Sequence, residues 1–154
     1  MMPAGAHALI RPVSPRDRDG YILMARDFYS TGAVMKKIPD EYFERAFGEL
    51  MRSDEYAKAY MIESGGVTAG YALTAKTYSQ EAGGMVLWLE EIYIKPEYRG
   101  RGLGGEFLEY ARNTLGREYA RLRLELEPGN DRAAELYRRH GFSDFPYLQM
   151  ALGG

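Results

Sequence analysis

The sequence predicts an α/β fold built on a single mixed, mostly antiparallel sheet, with one parallel strand pair near its centre and helices on both faces. Three observations predict it. The run "MVLWLEEIYIK", residues 85–95, is apolar on both faces, which suits a strand covered from both sides. It is followed from Leu103 by apolar residues at helical spacing and then by the alternating "RLRLELE". The stretch from Met85 to Glu127 therefore reads as a right-handed crossover between parallel strands. Upstream, "AKAYMIES" and "VTAGYALTAKTYS" flank Gly65-Gly66, a pair that makes a tight antiparallel hairpin turn cheaply. With 154 residues, 45% of them hydrophobic, the chain suits one compact domain over 1–154.

The other elements follow in order. "HALIRPVSP" is a short strand from about Ala8 to Val13, and Ser14 is placed to cap a helix through "RDRDGYILMARDFY", where Gly20 is the weak point. "PDEYFERAFGELMRS" is a second helix with Tyr42, Phe43, Ala46, Phe47, Leu50 and Met51 on one face and Asp40 as its cap. Between them "STGAVMKKI" reads as a surface loop. The helix from Leu103 ends near Gly116. After "RLRLELE", Pro128-Gly129 turns the chain, Asn130 or Asp131 caps a helix through "RAAELYRRH", and Gly141 ends it. "FPYLQMALG" is expected to add a last strand, giving the order β-α-α-β-β-β-α-β-α-β.

Composition narrows the function. Twenty Lys plus Arg against 22 Asp plus Glu give a formal charge of -2, which provides no basic field for nucleic acid or an anionic membrane. The absence of cysteine removes disulfides, thiolate zinc sites and a Cys nucleophile. No apolar run approaches a membrane span, so a cytoplasmic protein is expected. Neither His7 nor His140 has a second ligand near it in sequence, and no metal is expected.

The most informative stretch is "RGRGLGG", which lies between a strand and a helix. Backbone N–H groups freed by Gly100, Gly102, Gly104 and Gly105 can converge on an anion at the helix N-terminus, with Arg99 and Arg101 as charge-assisted donors. A pyrophosphate suits this arrangement. A P-loop would end in Gly-Lys-Ser/Thr, and a dinucleotide fold would carry its glycine turn after the first strand, so both nucleotide readings are disfavoured. A phosphate hydrolase or kinase would also want Mg²⁺-ligand spacing, which is missing.

These residues resemble the GNAT superfamily of N-acetyltransferases. "LEEIYIKPEYRGRGLGGEFLEYA" looks like its motif A, with Arg99, Gly102 and Gly104 filling the Arg/Gln-x-x-Gly-x-Gly/Ala pattern. "LELEPGNDRAAELYRRHGF" looks like its motif B, and "LIRPVSPRDRDG" resembles its opening strand and helix. The resemblance implies acetyl-CoA as co-substrate, with its pyrophosphate on the backbone from Arg99 through Gly100, Arg101, Gly102, Leu103 and Gly104 to Gly105. It also implies a pantetheine arm bonded to the backbone of Ile92, Tyr93 and Ile94, where the fourth and fifth strands splay apart. Asn130 matches the motif-B asparagine that contacts the cofactor, and it is equally an ordinary N-cap.

Acetyl transfer to an amine needs a base for the ammonium and an acid for the leaving thiolate. Glu90 and Glu91 stand out because carboxylates in a covered strand are costly unless paired or wetted, and alternation sends them to opposite faces. One should reach the cleft and the other find a structural partner. Barring a bulge, Glu90 shares a face with Trp88, Ile92 and Ile94. The doublet resembles the Leu-Glu-Asp of spermidine/spermine acetyltransferases, which favours Glu90. Glu125 is the rival base, since its spacing to Asn130 resembles that of ribosomal-protein N-terminal acetyltransferases. Tyr137 falls at the family's thiolate-protonating tyrosine, and helical spacing puts the small Ala133 on its face.

The expected acceptor is a small-molecule amine or a peptide amine, met by the two early helices, the "STGAVMKKI" loop and the "TYSQEAGG" turn. Phe28, Tyr29, Asp40, Glu41, Tyr42 and Glu44 lie there and could recognise a cation. A non-catalytic acyl-CoA-binding module is the alternative from another class, and a homodimer is compatible with either.

Overall fold

The structure, a computed structural model, describes residues 7–31 and 37–153. Five strands form one sheet in sequence order: β1 (Leu9–Pro12), β2 (Ala57–Ser64), β3 (Val67–Ser79), β4 (Gly84–Ile94) and β5 (Arg121–Leu124). The first four pair antiparallel and β4 pairs with β5 parallel, as the crossover requires. Gly65 and Gly66 both take positive φ, 59° and 79°, in the β2–β3 turn, the conformation that only glycine enters at little cost.

Helices α1 (Arg18–Ser30) and α2 (Asp40–Arg52) cover one face of the sheet, where Tyr21, Met24, Phe43 and Phe47 pack on Met61, Tyr71 and Tyr93. Helix α3 (Leu103–Asn113) covers the other, where Phe107, Leu108 and Ala111 meet Ile62, Ala72, Leu87 and Leu89. The short α4 (Asp131–Arg139) lies on that side through Leu136 and Tyr137. The two covers explain why β4 reads apolar on both faces.

The entry to α1 is held by an ion-pair network rather than by a single cap. Chain direction changes at Ser14, followed by a 3₁₀ turn over Pro15–Asp17. The Ser14 N–H and hydroxyl both donate to Asp17 Oδ2, and the Arg11 guanidinium donates to both Asp17 oxygens at 2.8 and 2.9 Å. Arg11 also reaches Glu63 on β2, joining three elements. The Arg11 hydrogen bonds hold the Asp17 carboxyl down to about 2 despite its burial.

Three expectations are corrected. Pro39, not Asp40, takes the N-cap position of α2, and Asp40 is its first helical residue. β5 stops at Leu124, so Glu125 lies beyond the strand. The last strand expected in "FPYLQMALG" is absent: residues 142–153 form no helix or strand, Pro146 offers no N–H for a ladder, and β5 forms the sheet's edge among the described residues. Phe145 lies under Arg121 and Arg123, and the Tyr147 hydroxyl donates to Glu81. Beyond them Leu148, Met150 and Leu152 are fully exposed.

Candidate active site

The site begins where two strands part. The β4–β5 ladder runs only from Val86↔Arg121 to Leu89↔Leu124, whereas β4 continues to Ile94. From Glu90 onward β4 is paired with β3 alone, and its other edge faces no strand among the described residues. This is the splay expected on resemblance, and it turns the backbone of Ile92 and Ile94 to the open edge, whereas the Tyr93 carbonyl faces β3 at Gly70. The carbonyl of Ile94 is already engaged, accepting from Arg99 Nε at 2.8 Å.

A β-bulge sits at the same point. Leu73 pairs with Glu91 and Thr74 with Leu89, so Glu90 is the extra residue with no partner across the ladder. The bulge resets the alternation. Leu87 and Leu89 before it, and Ile92 and Ile94 after it, all face α3. The expected face shared by Glu90, Trp88, Ile92 and Ile94 therefore does not exist. Glu91 turns into the α1–α2 core, only 9% exposed, and accepts from the Tyr29 and Tyr71 hydroxyls at 2.5 and 2.6 Å. It finds structural partners as expected, and they are phenols. Burial raises its pKa and the two hydroxyls oppose the shift.

Glu90 opens to solvent and makes no hydrogen bond or ion pair among the described residues. Its pKa is raised, first by the protein that crowds its carboxyl, then by the like charges of Glu125 and Glu91. The rival carboxylates are thus electrostatic neighbours at one mouth.

The four glycines of the turn divide into two pairs. Gly100 and Gly102 take φ of 76° and 82° with open space around them, and Gly102 stands at the N-cap of α3. Gly104 and Gly105 lie inside the first turn of α3 and face α4, with His140 Nε2 3.0 Å from where a Gly105 Cβ would be. Leu103 is buried beneath the turn. The two arginines brace the loop: Arg99 lies over the Tyr93 ring as well as bonding Ile94 O, and Arg101 donates to Glu97 O. Each guanidinium has further donors, since five N–H groups are available.

Asn130 is the α4 N-cap, its Oδ1 accepting from the Ala133 N–H at 3.3 Å. That settles the cap between Asn130 and Asp131. Tyr137 is half-buried, packed edge-on against Phe142, with its hydroxyl unbonded among the described residues. Burial raises its pKa, which keeps it protonated. Glu125, Asn130 and Tyr137 line one cleft of about 1080 Å³ between β5, α4 and the tail. Gly102 and Gly105 line a second, of about 730 Å³, and His140 borders both.

The expected acceptor residues divide differently. Asp40 pairs with Arg26 and Glu44 with Arg18 across the exposed seam of α1 and α2, so these acids are already neutralised. Tyr29 is committed to Glu91, and Tyr42 lies under Arg45. Of the expected "STGAVMKKI" loop, residues 32–36 lie outside the described residues. Three features escaped the sequence reading. Glu127 Oε2 is the one buried side-chain oxygen or nitrogen without a partner among the described residues, and Glu127 lines the large cleft. The bulge at Glu90 has no sequence signal. Gly70 had one, an isolated glycine inside a strand pattern, which marks close backbone approach: a Cβ there would meet Tyr93 O at 2.1 Å.

Comparison with known proteins agrees with this geometry. The model of the Acetyltransferase (GNAT) family matches residues 21–142. A thialysine N-ε-acetyltransferase of Sus scrofa is 36% identical over 153 residues, covering 90% of this chain and 86% of that protein. The Bos taurus protein of the same name is 38% identical over 81 residues, and that match spans 52% of this chain and 47% of the bovine protein. Among solved structures, aminoglycoside N-acetyltransferase AAC(6')-Iy in complex with CoA superposes with a TM-score of 0.77 at 18% identity, covering 99% of each chain. At this identity the likeness speaks to the fold. No helix among the described residues is long and apolar enough to cross a membrane.

Proposed function

Because the chain belongs to the acetyltransferase (GNAT) family, we propose that it moves an acetyl group from acetyl-CoA to a primary amine, with Glu90 as base and Tyr137 as acid. One observation carries the reading. The β4–β5 ladder ends at Leu89↔Leu124, and an unpaired carboxylate with a raised pKa stands at the opening.

The residues present fit the co-substrate. The backbone at Gly100 and Gly102 has open space for a pyrophosphate beside the N-terminus of α3, and the free edge of β4 offers amide groups to the pantetheine arm. Bound acetyl-CoA would supply an acetyl carbonyl activated as a thioester. Glu90 takes the proton of the incoming ammonium, directly or through water, and a raised pKa suits it to that task. Tyr137 holds its proton at a half-buried hydroxyl, ready for the departing sulfur. Asn130 steadies the start of α4, and the small Ala133 leaves space on the Tyr137 side of the helix. Glu125 adds negative charge that attracts the cationic acceptor and raises Glu90 further.

For the acceptor we favour an aliphatic amine of the lysine ε type, because the relative at 36% identity is named for that chemistry. A panel of amines and peptides with acetyl-CoA, followed by thiol release, should show turnover on lysine-like amines. Tyr137→Phe should lower kcat about 10²-fold while CoA affinity holds in calorimetry. Acetylation of nothing on the panel, with CoA still bound, would leave a binding module instead.

We also propose that two copies associate through the tail. Leu148, Met150 and Leu152 are fully exposed at alternate positions, and the outer edge of β5 carries no strand among the described residues. Exchange of tails about a twofold axis would cover both at once and close the assembly. Light scattering should give a dimer for the full chain and a monomer once residues 148–154 are removed. A full chain that stays monomeric at tens of micromolar (a working concentration of roughly the range where transient intermediates already aggregate) contradicts the proposal.

A further inference from the structure

Helix α4, which carries the acid, is weakly anchored. None of its residues is fully buried, and its apolar hold rests on the partly buried Leu136 and Tyr137. Among the described residues a single side-chain hydrogen bond ties its end to another element. His140, the C-cap, meets Glu109 Oε1 of α3 through Nδ1 at 2.8 Å. The far edge of the same ring lies on the first turn of α3, where a Cβ at Gly105 would stand 3.0 Å from Nε2 and 3.4 Å from Cε1. At Gly104, one residue earlier, a Cβ would make only ordinary contact, 3.9 Å from Leu136 Cδ2.

Gly105, which the sequence assigns to an anion turn, therefore has a different reason to be glycine. Without a Cβ, the first turn of α3 admits the end of α4 at close range. The turn that faces the co-substrate and the helix that bears Tyr137 are packed as one unit, and His140 is the wall between the two cavities.

We propose that His140 is a positioning residue: seated on Gly105 and bonded to Glu109, its ring sets the angle of α4 and so directs the Tyr137 hydroxyl, three residues earlier, at the cleft. The inference rests on the acid role proposed for Tyr137. Among the described residues the other side-chain bond at that end of α4, the exposed pair of Arg138 and Asp144, holds the irregular tail and not another helix or strand. A small rotation of a nine-residue helix moves the hydroxyl without unfolding anything, and reacting groups misplaced by about 1 Å lose about 10²-fold in rate.

A double-mutant cycle tests it. Gly105→Ala, His140→Ala and the double variant are compared in thermal midpoint, in KM for acetyl-CoA and in kcat. Gly105→Ala alone should lower kcat about tenfold, because its methyl displaces the ring. Added to His140→Ala it should cost nothing more, since the group it collides with is gone. KM for acetyl-CoA should move little in either single variant. His140→Asn places an amide near the Nδ1 position and leaves the space over Gly105 empty, so it should restore kcat in both backgrounds. Additive midpoints, or coupled midpoints with unchanged kcat, would overturn the positioning role while leaving the acetyltransferase reading intact. A wild-type chain that acetylates no amine would overturn both.

Discussion

Replacing Glu90 by glutamine is expected to lower kcat about 10²- to 10⁴-fold, the usual contribution of a general base, with little change in CoA affinity. The group is free to act because the bulge removes it from the ladder and no side chain among the described residues neutralises it. Its pH dependence has a definite sign. A raised carboxyl pKa puts the acid limb of kcat/KM above the ordinary carboxylate range of 4.5, and activity falls as the pH drops through it. Glu125→Gln should move that limb to lower pH, because it removes a like charge that disfavours ionisation of Glu90. If Glu125 were the base, its variant would abolish turnover instead. Glu91→Gln is the internal control. One tyrosine hydroxyl can donate to the amide oxygen and the other can turn to accept from the amide N–H, in place of the two carboxylate oxygens they now bond separately, so turnover should survive. Loss of activity in Glu91→Gln with Glu90→Gln unaffected would reverse the assignment of the pair.

Gly70→Ala is expected to cost about 3 kcal/mol or more, at the upper end for overpacking, and to lower the thermal midpoint by about 10 °C. The added methyl would stand 2.1 Å from Tyr93 O, 2.9 Å from Ile94 Cδ1 and 3.2 Å from Ile94 Cα. Backbone cannot yield as a side-chain end can. The strain falls on Tyr93 and Ile94, the last two residues of β4, and Ile94 is the residue whose carbonyl anchors Arg99 at the splay. CoA affinity should therefore fall along with stability. The same substitution at Gly48 inside α2 meets nothing within 4 Å and has no positive φ, so it should stabilise by up to about 1 kcal/mol. A Gly70→Ala chain as stable as wild type would mean that β3 and β4 are farther apart at Gly70↔Ile94.

Much of the frame was legible in the residues. Local patterns identify the nine strands and helices of the described residues: most bury one face, which is written as alternation or as i, i+3, i+4 spacing, and β4, covered on both sides, is written as a continuous apolar run. The glycine turn and the Asn130 cap are equally local. The extra strand read into "FPYLQMALG" shows the limit of that signal: alternation records what a segment could bury, and here no edge of its own chain receives it.

By itself, then, the sequence determined the element order, the parallel crossover, the anion-ready turn and the presence of a carboxylate pair on the strand before it. Only the tertiary structure decided which acid is free. A bulge depends on register against β3, and register is set by contacts between residues far apart in the chain, so no local pattern announces that Glu91 turns inward to two tyrosines while Glu90 is left at the open mouth. The same holds for Gly105, whose neighbour His140 is distant in sequence and adjacent only after two helices meet.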